Sequence, residues 1–585
     1  MPHFLHHLLH PFKTVWNERI ALFWPIWVAT TALGALLVIW AVPRQGKVEP
    51  DSIPSRHYAW SPGAIFAVTF LALFLTCYIA GSLVWEDFTY YDNSHFTNGT
   101  LAGRNIPLQI SPESGRFWPL GHQEFNLLRH VTRSVTGYHA LRIVQLVLLC
   151  AFLLILDQEL SIPARVALIL LLLITPSILI SFSGLIYAES NIVFWLVCLV
   201  WLVNRFDQTR SIEWAVAAVI ASQFLLYYKE TAFLLLLGFA FGRLLLRCWK
   251  RDRRGWDLKV LRNPESRLDL CLAILVVPFL LYYLAAMFPN FRSSYADTFR
   301  LPFIQVVLSY LGLDLLAWIF VCVGLVKVVL ILWHKVAPSL LWDGLALAGI
   351  AYFFGYIILR MTSAYYLAPV DFIAVLYLGR LAYLSRESMG LAVRMGAVVL
   401  LALIIFQDLS FSAFRMYERK NVIHAKAEMG SAIKARYQSD PQNARRLFFP
   451  FAKPFQVLEF ASYLNYIGVP VEQLQGGAVV TSGIQLVDRA IQKDGPCGYR
   501  TFVCHTGETP DPGDLVVLLP DDSTSASDLS VYQQPGSAAL FSYGPQPSIP
   551  QWMFPFVKRL HVVSPVFALD PLPDSWLTAS VTAWK

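Results

Sequence analysis

The sequence predicts a polytopic α-helical membrane protein of about 11–12 transmembrane helices, followed by a C-terminal extracytoplasmic α/β domain. Three observations carry that expectation. Of 585 residues, 56% are hydrophobic and only 15% charged, with a mean hydropathy of +0.52, outside the balance of a soluble domain. Apolar runs near the roughly 20 residues that a helix needs to cross a bilayer recur from Ile20 to Phe406. Beyond about Gln407 the chain turns to Pro, Gly, Ser and Asp clusters between short apolar and amphipathic stretches, the pattern of a folded domain in water.

The runs are Ile20–Val42, Pro62–Leu83, His139–Leu156, Ala164–Gly184, Asn191–Asn204, Ile212–Tyr228, Thr231–Leu246, Leu268–Phe288, Leu313–Trp333, Leu341–Leu359, Tyr366–Leu384 and Leu391–Phe406. They divide the chain into residues 1–61 with one extra membrane helix, a membrane domain over 62–406 with a long loop at 85–138, and a tail domain over 407–585. The first run is too long for a signal-peptide core and lacks a clear cleavage site, so it reads as a retained segment. In the tail, Arg446–Phe451, Asp514–Leu519 and His561–Leu569 have strand length, while Gln456–Tyr466 and Gln485–Gln492 have helical periodicity. The tail contains neither a P-loop nor a GxGxxG motif, so a nucleotide site there has no support.

The formal net charge of +7 traces to loops between apolar runs, where basic residues orient a membrane protein, and a nucleic-acid partner is discounted. The loop from Arg243 to Arg267 holds nine basic residues, including Arg247, Lys250 and Arg262, and is therefore expected to be cytoplasmic. Counting helices from it puts Trp85–Tyr138, Tyr187–Ser190, Tyr227–Glu230, Arg360–Tyr365 and the tail outside. The same count puts the N-terminus outside, against Lys13 and Arg19, unless Ile20–Val42 spans only in part. Six of the eight cysteines lie in or beside apolar runs and read as small hydrophobes. Cys497 and Cys504, in the tail, would pair in an oxidising compartment.

The chemistry concentrates on the outer side. Trp85-Glu86-Asp87-Phe88-Thr89-Tyr90-Tyr91-Asp92-Asn93-Ser94-His95-Phe96 follows directly on an apolar run. Carboxylates at a membrane boundary are costly to desolvate and mark a functional site by default; the bland alternative is an ordinary solvated loop. Glu189, the Lys229-Glu230 pair, and Arg360 with Tyr365 and Tyr366 fall on the same side. Lys229 and Arg360 suit an anionic headgroup, while Glu86, Asp87 or Asp92 suits a general base whose pKa is raised by apolar neighbours. Each has a plainer reading: Lys229-Glu230 as a local ion pair in a turn, Arg360 snorkelling to the interface, Glu189 complementing a helix N-terminus. Lys327, Asp314 and Asp371 have no partner readable from sequence. The stretch Gly115–Phe125, which contains Trp118 and His122, suits an amphipathic segment lying on the membrane, and its aromatics suit a sugar face. Asn98-Gly99-Thr100 matches a glycosylation sequon, a weak signal.

The order of these features resembles the GT-C superfamily of membrane glycosyltransferases, the group that includes protein O-mannosyltransferases and the lipid A aminoarabinose transferase. The resemblance runs from Glu86-Asp87-Phe88-Thr89-Tyr90 through Pro119–Phe125, Gly137–Arg142, Pro176–Glu189 and Tyr228-Lys229-Glu230 to Arg360–Pro369. It implies a GT-C-like fold, an integral protein of a bacterial inner membrane with its tail in the periplasm, and inverting transfer of a sugar from a polyprenyl-phosphate donor to a glycan, lipid or protein acceptor. By the same resemblance, Asp87 is the base, with Glu86 and Asp92 as rivals. Lys229 and Arg360 meet the leaving phosphate, and Tyr365 and Tyr366 line the donor site; Tyr90, Tyr91, His122, Glu189 and Glu230 complete the substrate-binding candidates. Here the acidic pair reads Glu-Asp, where the aminoarabinose transferases are expected to show Asp-Glu. Three acids in seven residues permit a divalent metal, Mg or Mn, without requiring one. Two other classes stay open: a lipid-linked-substrate transporter or flippase, whose ionisable residues belong near the midplane on broken helices, and a scaffold whose tail binds a partner.

Overall fold

The computed structural model describes residues 22–42, 61–82, 105–112, 115–250, 255–287, 301–441, 445–452, 454–475, 478–479, 483–489, 494–497, 502–519, 538–543 and 579–583. Glu86, Asp87, Tyr90, Tyr91 and Asp92 lie outside the described residues, as do the Asn98-Gly99-Thr100 sequon and the expected strand His561–Leu569.

The membrane part is built from helices α1 (Phe23–Ala41), α2 (Pro62–Ser82), α3 (Gln123–Leu128), α4 (Val135–Leu156), α5 (Ile162–Leu173), α6 (Pro176–Ser183), α7 (Glu189–Thr209), α8 (Ile212–Tyr227), α9 (Ala232–Cys248), α10 (Pro264–Met287), α11 (Phe303–Leu313), α12 (Leu315–Leu332), α13 (Leu340–Leu359), α14 (Ala368–Ser385) and α15 (Leu391–Ser439). Among the described residues nine spans have the length and apolarity to cross a membrane, or ten if the bent pair α5–α6 is one span. The chain is thus an integral, multi-pass helical membrane protein. The expected runs at α8 and α9 fold as helices of 16 and 17 residues, at the short end of what crosses a bilayer.

Local chemistry explains most boundaries. Ser134 accepts a hydrogen bond from Gly137 N at 3.1 Å, which starts α4 four residues before the expected His139. Thr175-Pro176 breaks the expected run Ala164–Gly184 into α5 and α6, bent by 72°, because proline removes a backbone donor and forces its predecessor out of the helical region. α15 continues past the expected end at Phe406 to Ser439, 49 residues in all, or roughly 73 Å at the standard rise. It therefore leaves the apolar span Leu391–Ala413 as a stalk that enters the tail.

α9 packs along α13 through small residues: a Cβ at Gly238 would lie 2.8 Å from Ala348 Cα, and one at Gly344 only 2.6 Å from Arg243 Cγ. Such close approach is how helices associate where lipid is as apolar as the interface. The turns sort to two ends of the bundle. At one end Lys229 meets Glu189, and Tyr187 meets Tyr365. At the other, Arg243 meets Asp207 and Asp269, Arg380 meets Asp157, and Trp249 stacks on His334. This is the alternation of turns that the run order predicts.

The tail is an α/β unit. Two small hairpin pairs, β1 (Ile110–Ser111) with β2 (Arg116–Phe117) and β3 (Trp249–Lys250) with β4 (Gly255–Trp256), belong to loops of the membrane part, and a third, β6 (Leu474–Gln475) with β7 (Ala478–Val479), belongs to the tail. The main sheet joins β5 (Arg446–Phe449), β8 (Gln485–Asp488), β9 (Gly495–Cys497), β10 (Phe502–Thr506), β11 (Leu515–Leu518), β12 (Ala538–Tyr543) and β13 (Ala579–Ala583) in the order β12-β13-β11-β5-β8-β10-β9. The central four, β11-β5-β8-β10, are parallel. Helix α16 (Pro454–Tyr466) packs on the sheet together with Ala425, Met429 and Ile433 of the stalk. The expected helix Gln485–Gln492 is instead strand β8: Leu486 and Val487 are both fully buried, one in each of the two apolar clusters of this unit. A parallel strand covered on both sides loses the alternation that identifies strands. Cys504 is disulfide-bonded.

Candidate functional site

Two turns and one helix end build the site. The turn Tyr228–Thr231 joins α8 to α9, Glu189 is the first residue of α7, and the segment Arg360–Leu367 joins α13 to α14. The Lys229 ammonium and the Glu189 carboxylate form a direct ion pair, with Glu189 1% and Lys229 4% exposed. Three tyrosine rings surround the ammonium, with centroids 4.3 Å (Tyr366), 5.7 Å (Tyr365) and 5.9 Å (Tyr356) from Nζ, within cation–π range. Tyr356 stacks on Tyr366 at 4.6 Å, and Tyr365 meets Tyr187 at 4.7 Å. Thr231 Oγ1 lies 3.0 Å from the Tyr356 hydroxyl. Lys229 lies in a turn outside the helical spans, where burial pulls its ammonium below the ordinary lysine range and Glu189 pushes it back.

Arg360 ends α13 one turn beyond Tyr356, half-buried, with φ 57°. The left-handed region at a helix C-terminus normally falls to glycine, and a non-glycine residue there stores strain that is common at functional sites. Arg360 has no ion pair among the described residues. Of the sequence candidates, the structure therefore gathers Glu189, Lys229, Tyr365 and Tyr366 in direct contact, with Arg360 on the adjoining turn.

Glu230, on the same turn as Lys229, faces the neighbouring segment 115–125, which carries His122. Glu230 pairs with Arg116 at 3.3 Å rather than with Lys229, so the reading of Lys229-Glu230 as a local pair gives way to two separate pairs. Backbone geometry decides this, since adjacent residues of the turn point apart. Leu120 N donates to Tyr227 O at 3.1 Å, which docks the segment on the same turn. His122, buried with φ 66°, precedes α3 and meets the Trp118 ring edge-on at 5.1 Å.

Sequence reasoning missed Tyr356, Tyr187 and a supporting network around Arg142. Fully buried Arg142 donates to Glu124 Oε1 (3.1 Å), Leu185 O (2.9 Å), Gln145 Oε1 (2.9 Å) and Asn191 Oδ1 (3.1 Å). It thereby ties α3, the 184–188 turn and α7 together. The four-residue spacing of Tyr352, Tyr356 and Arg360 was the available signal, since it aligns them on one helix face. The three unassigned residues find structural roles: Lys327 pairs with Asp343 at 2.6 Å, Asp314 caps α12 through Ala317 N at 2.8 Å, and Asp371 accepts from Ser177. Among the described residues no group of three or more His, Cys, Asp or Glu has the arrangement to hold a metal ion.

No family model and no curated protein matches the chain. Among solved structures it is similar to the crystal structure of ArnT from Cupriavidus metallidurans in the apo state, with 13% identity and a TM-score of 0.44, covering 82% of this chain and 97% of that one. It is also similar to the crystal structure of ArnT from the same organism bound to undecaprenyl phosphate, with 13% identity and a TM-score of 0.41 over 88% of this chain and 98% of that one.

Proposed function

We propose that the chain is a GT-C-type membrane glycosyltransferase that moves a sugar, with inversion, from a polyprenyl-phosphate donor to a hydroxyl or amine at the non-cytoplasmic face. The observation that supports this best is Lys229, a cation held in an aromatic box with Arg360 on the adjoining turn. Both sit at the bundle end opposite the arginine-rich loop that the charge rule assigns to the cytoplasm. Helix α2, which leads into the acidic stretch, finishes at this end too: a side chain at Gly81 would lie 3.9 Å from Met416 of the stalk.

In this reading the donor phosphate lies against Lys229 and Arg360, whose charges offset the negative charge that grows on the leaving oxygen. The tyrosine rings present flat faces to the sugar or the first isoprene units. Asp87 takes the acceptor proton, with Glu86 and Asp92 as rivals, and a divalent metal held by these acids would add a further positive charge. The periplasmic side, the tail's placement there and the acceptor class belong to the same proposal.

The test is sugar transfer in membrane vesicles from a labelled polyprenyl-phosphate sugar, coupled to mass spectrometry of envelope glycans with and without the protein. Asp87→Asn is expected to lower transfer by about 10²–10⁴, the usual worth of a general base, and the double variant with Glu86→Gln to abolish it. Unchanged transfer in all of these variants removes the catalytic assignment. For Arg360→Gly the expectation splits: thermal stability rises by up to about 1 kcal/mol as backbone strain is released, while transfer falls at least tenfold. A rise in stability with full activity would make Arg360 an ordinary helix end.

One observation favours a transporter instead, namely the 72° break between α5 and α6, since broken helices line many transport sites. Vectorial movement of a lipid-linked substrate without covalent transfer would establish that alternative.

A further inference from the structure

The stalk places a cation at this end of the bundle that the reading above does not use. α15 is fixed where it passes two helix breaks. Ser412 Oγ donates to Ile174 O at 2.7 Å, at the α5–α6 bend. Gln407 accepts from Leu315 N at 3.2 Å and donates to Gly312 O at 2.8 Å, at the α11–α12 junction. Both contacts satisfy backbone groups that a continuous helix would have paired internally, so the helix and its side chains have a fixed register here. Arg419 follows, half-buried, six residues beyond the apolar span that ends at Ala413.

The Arg419 side chain reaches the end of α6, where Nη1 donates to Ser183 Oγ at 2.6 Å. A Cβ on Gly184 would stand 3.0 Å from Arg419 Nη2 and 2.3 Å from the Tyr187 ring, so the missing side chain is what lets guanidinium and ring meet over this backbone. Tyr187 in turn touches Tyr365, whose centroid is 5.7 Å from Lys229 Nζ. Arg419 thus neighbours Tyr187 and Lys229 neighbours Tyr365, the two rings of one aromatic pair.

Several buried arginines elsewhere are neutralised by carboxylates: Arg142 meets Glu124, Arg243 meets Asp207 and Asp269, Arg380 meets Asp157 and Glu159. Arg419 faces a neutral serine, and it has no carboxylate partner among the described residues. A guanidinium offers five donors in a planar fork, and one serine leaves most of them for an anion.

We propose that Arg419 is an anion-binding residue of the same site, one that places a lipid-borne phosphate at the Tyr187–Tyr365 pair, which Lys229 also borders. The proposal rests on the glycosyltransferase reading for the source of the phosphate. It makes the stalk of the α/β unit part of the binding surface, so a tail detached from the membrane part would leave the site incomplete. Ser183 and Gly184 act as positioning residues, one orienting the fork and the other leaving it room.

The experiment uses full-length protein in lipid nanodiscs and three probes: polyprenyl phosphate, the corresponding polyprenol, and inorganic phosphate. Arg419→Ala is expected to weaken polyprenyl phosphate binding by about 10–100-fold, the range for hydrogen bonds to a charged group, with polyprenol binding unchanged. Arg419→Lys keeps the charge without the fork and should recover part of the loss, and Gly184→Ala should give a smaller loss by displacing the fork. If inorganic phosphate binds the wild type and loses affinity in Arg419→Ala to the same degree, the site takes free phosphate and the lipid source is overturned. Should Arg419→Ala fail to fold, Arg419→Lys and Gly184→Ala carry the test. Wild-type affinity in a folded Arg419 variant overturns the proposal even where sugar transfer is detected. Loss of phosphate binding in a protein that transfers no sugar keeps the anion site and sinks the glycosyltransferase reading.

Discussion

Lys229→Met is expected to give a protein that melts at lower temperature and transfers sugar at no more than about a hundredth to a thousandth of the wild-type rate, the usual cost of removing one charge-stabilising donor. The stability loss comes from Glu189, 1% exposed, whose carboxylate would be left buried without its partner; breaking a buried pair from one side typically costs about 3–5 kcal/mol. Glu189→Gln should behave alike in stability, because it strands the ammonium instead. The informative variant is the double one. With both charges gone, most of the lost stability returns, since a buried ion pair is often worth little more than a neutral replacement of similar volume. Transfer should not return, because the cation in the tyrosine box is still missing. Recovery of transfer with stability would reduce the pair to a staple between α7 and the α8–α9 turn. Melting followed by tryptophan fluorescence and transfer in vesicles reads both quantities on one preparation.

A second large effect is expected at the opposite end. Asp269, fully buried, accepts from Arg243 Nε at 2.7 Å and from Arg247 Nε at 2.9 Å. Arg243 also reaches Asp207 at 2.8 Å, and Arg247 reaches Glu265 at 3.3 Å. The network joins α7, α9 and α10, and Arg243 lies under Gly344 of α13. Asp269→Ala removes the carboxylate that both guanidinium groups share. It should cost about 3–5 kcal/mol, seen as a lowered melting temperature and a lower yield of monodisperse protein in detergent. Transfer per folded molecule should stay near wild type, because the network is at the end of the bundle away from Lys229. A melting temperature unchanged by Asp269→Ala would mean that water already satisfies the arginines.

Much of this architecture was legible in the chain. Hydropathy located the spans, and loop charge ordered their ends. The one-sided grouping of Glu189, Lys229, Arg360 and the Tyr365-Tyr366 pair followed from that ordering alone, and the structure brings Glu189, Lys229 and both tyrosines into contact. In the tail, the strand readings at Arg446 and Leu515 and the helix before Tyr466 also hold. What failed, failed for identifiable reasons. Gln485–Asp488 reads as helical periodicity and becomes a strand because β5 and β10 pair with its edges and apolar clusters cover both of its faces. Adjacent Lys229 and Glu230 look like a pair and are not one, because a turn sends neighbouring side chains to different partners.

The sequence by itself determined that the chain is a multi-pass membrane protein, which turns share an end, and which residue types meet there. Apolarity and net loop charge are properties of single segments, so a linear reading suffices for them. Only the tertiary structure decided that Lys229 takes Glu189, that Glu230 takes Arg116, that Lys327 takes Asp343, and that the stalk brings Arg419 to Ser183. Those choices depend on which helices pack side by side and at what rotation, and the pairing of α9 with α13 through glycines, or of α15 with the bend at Pro176, leaves no mark in either segment alone.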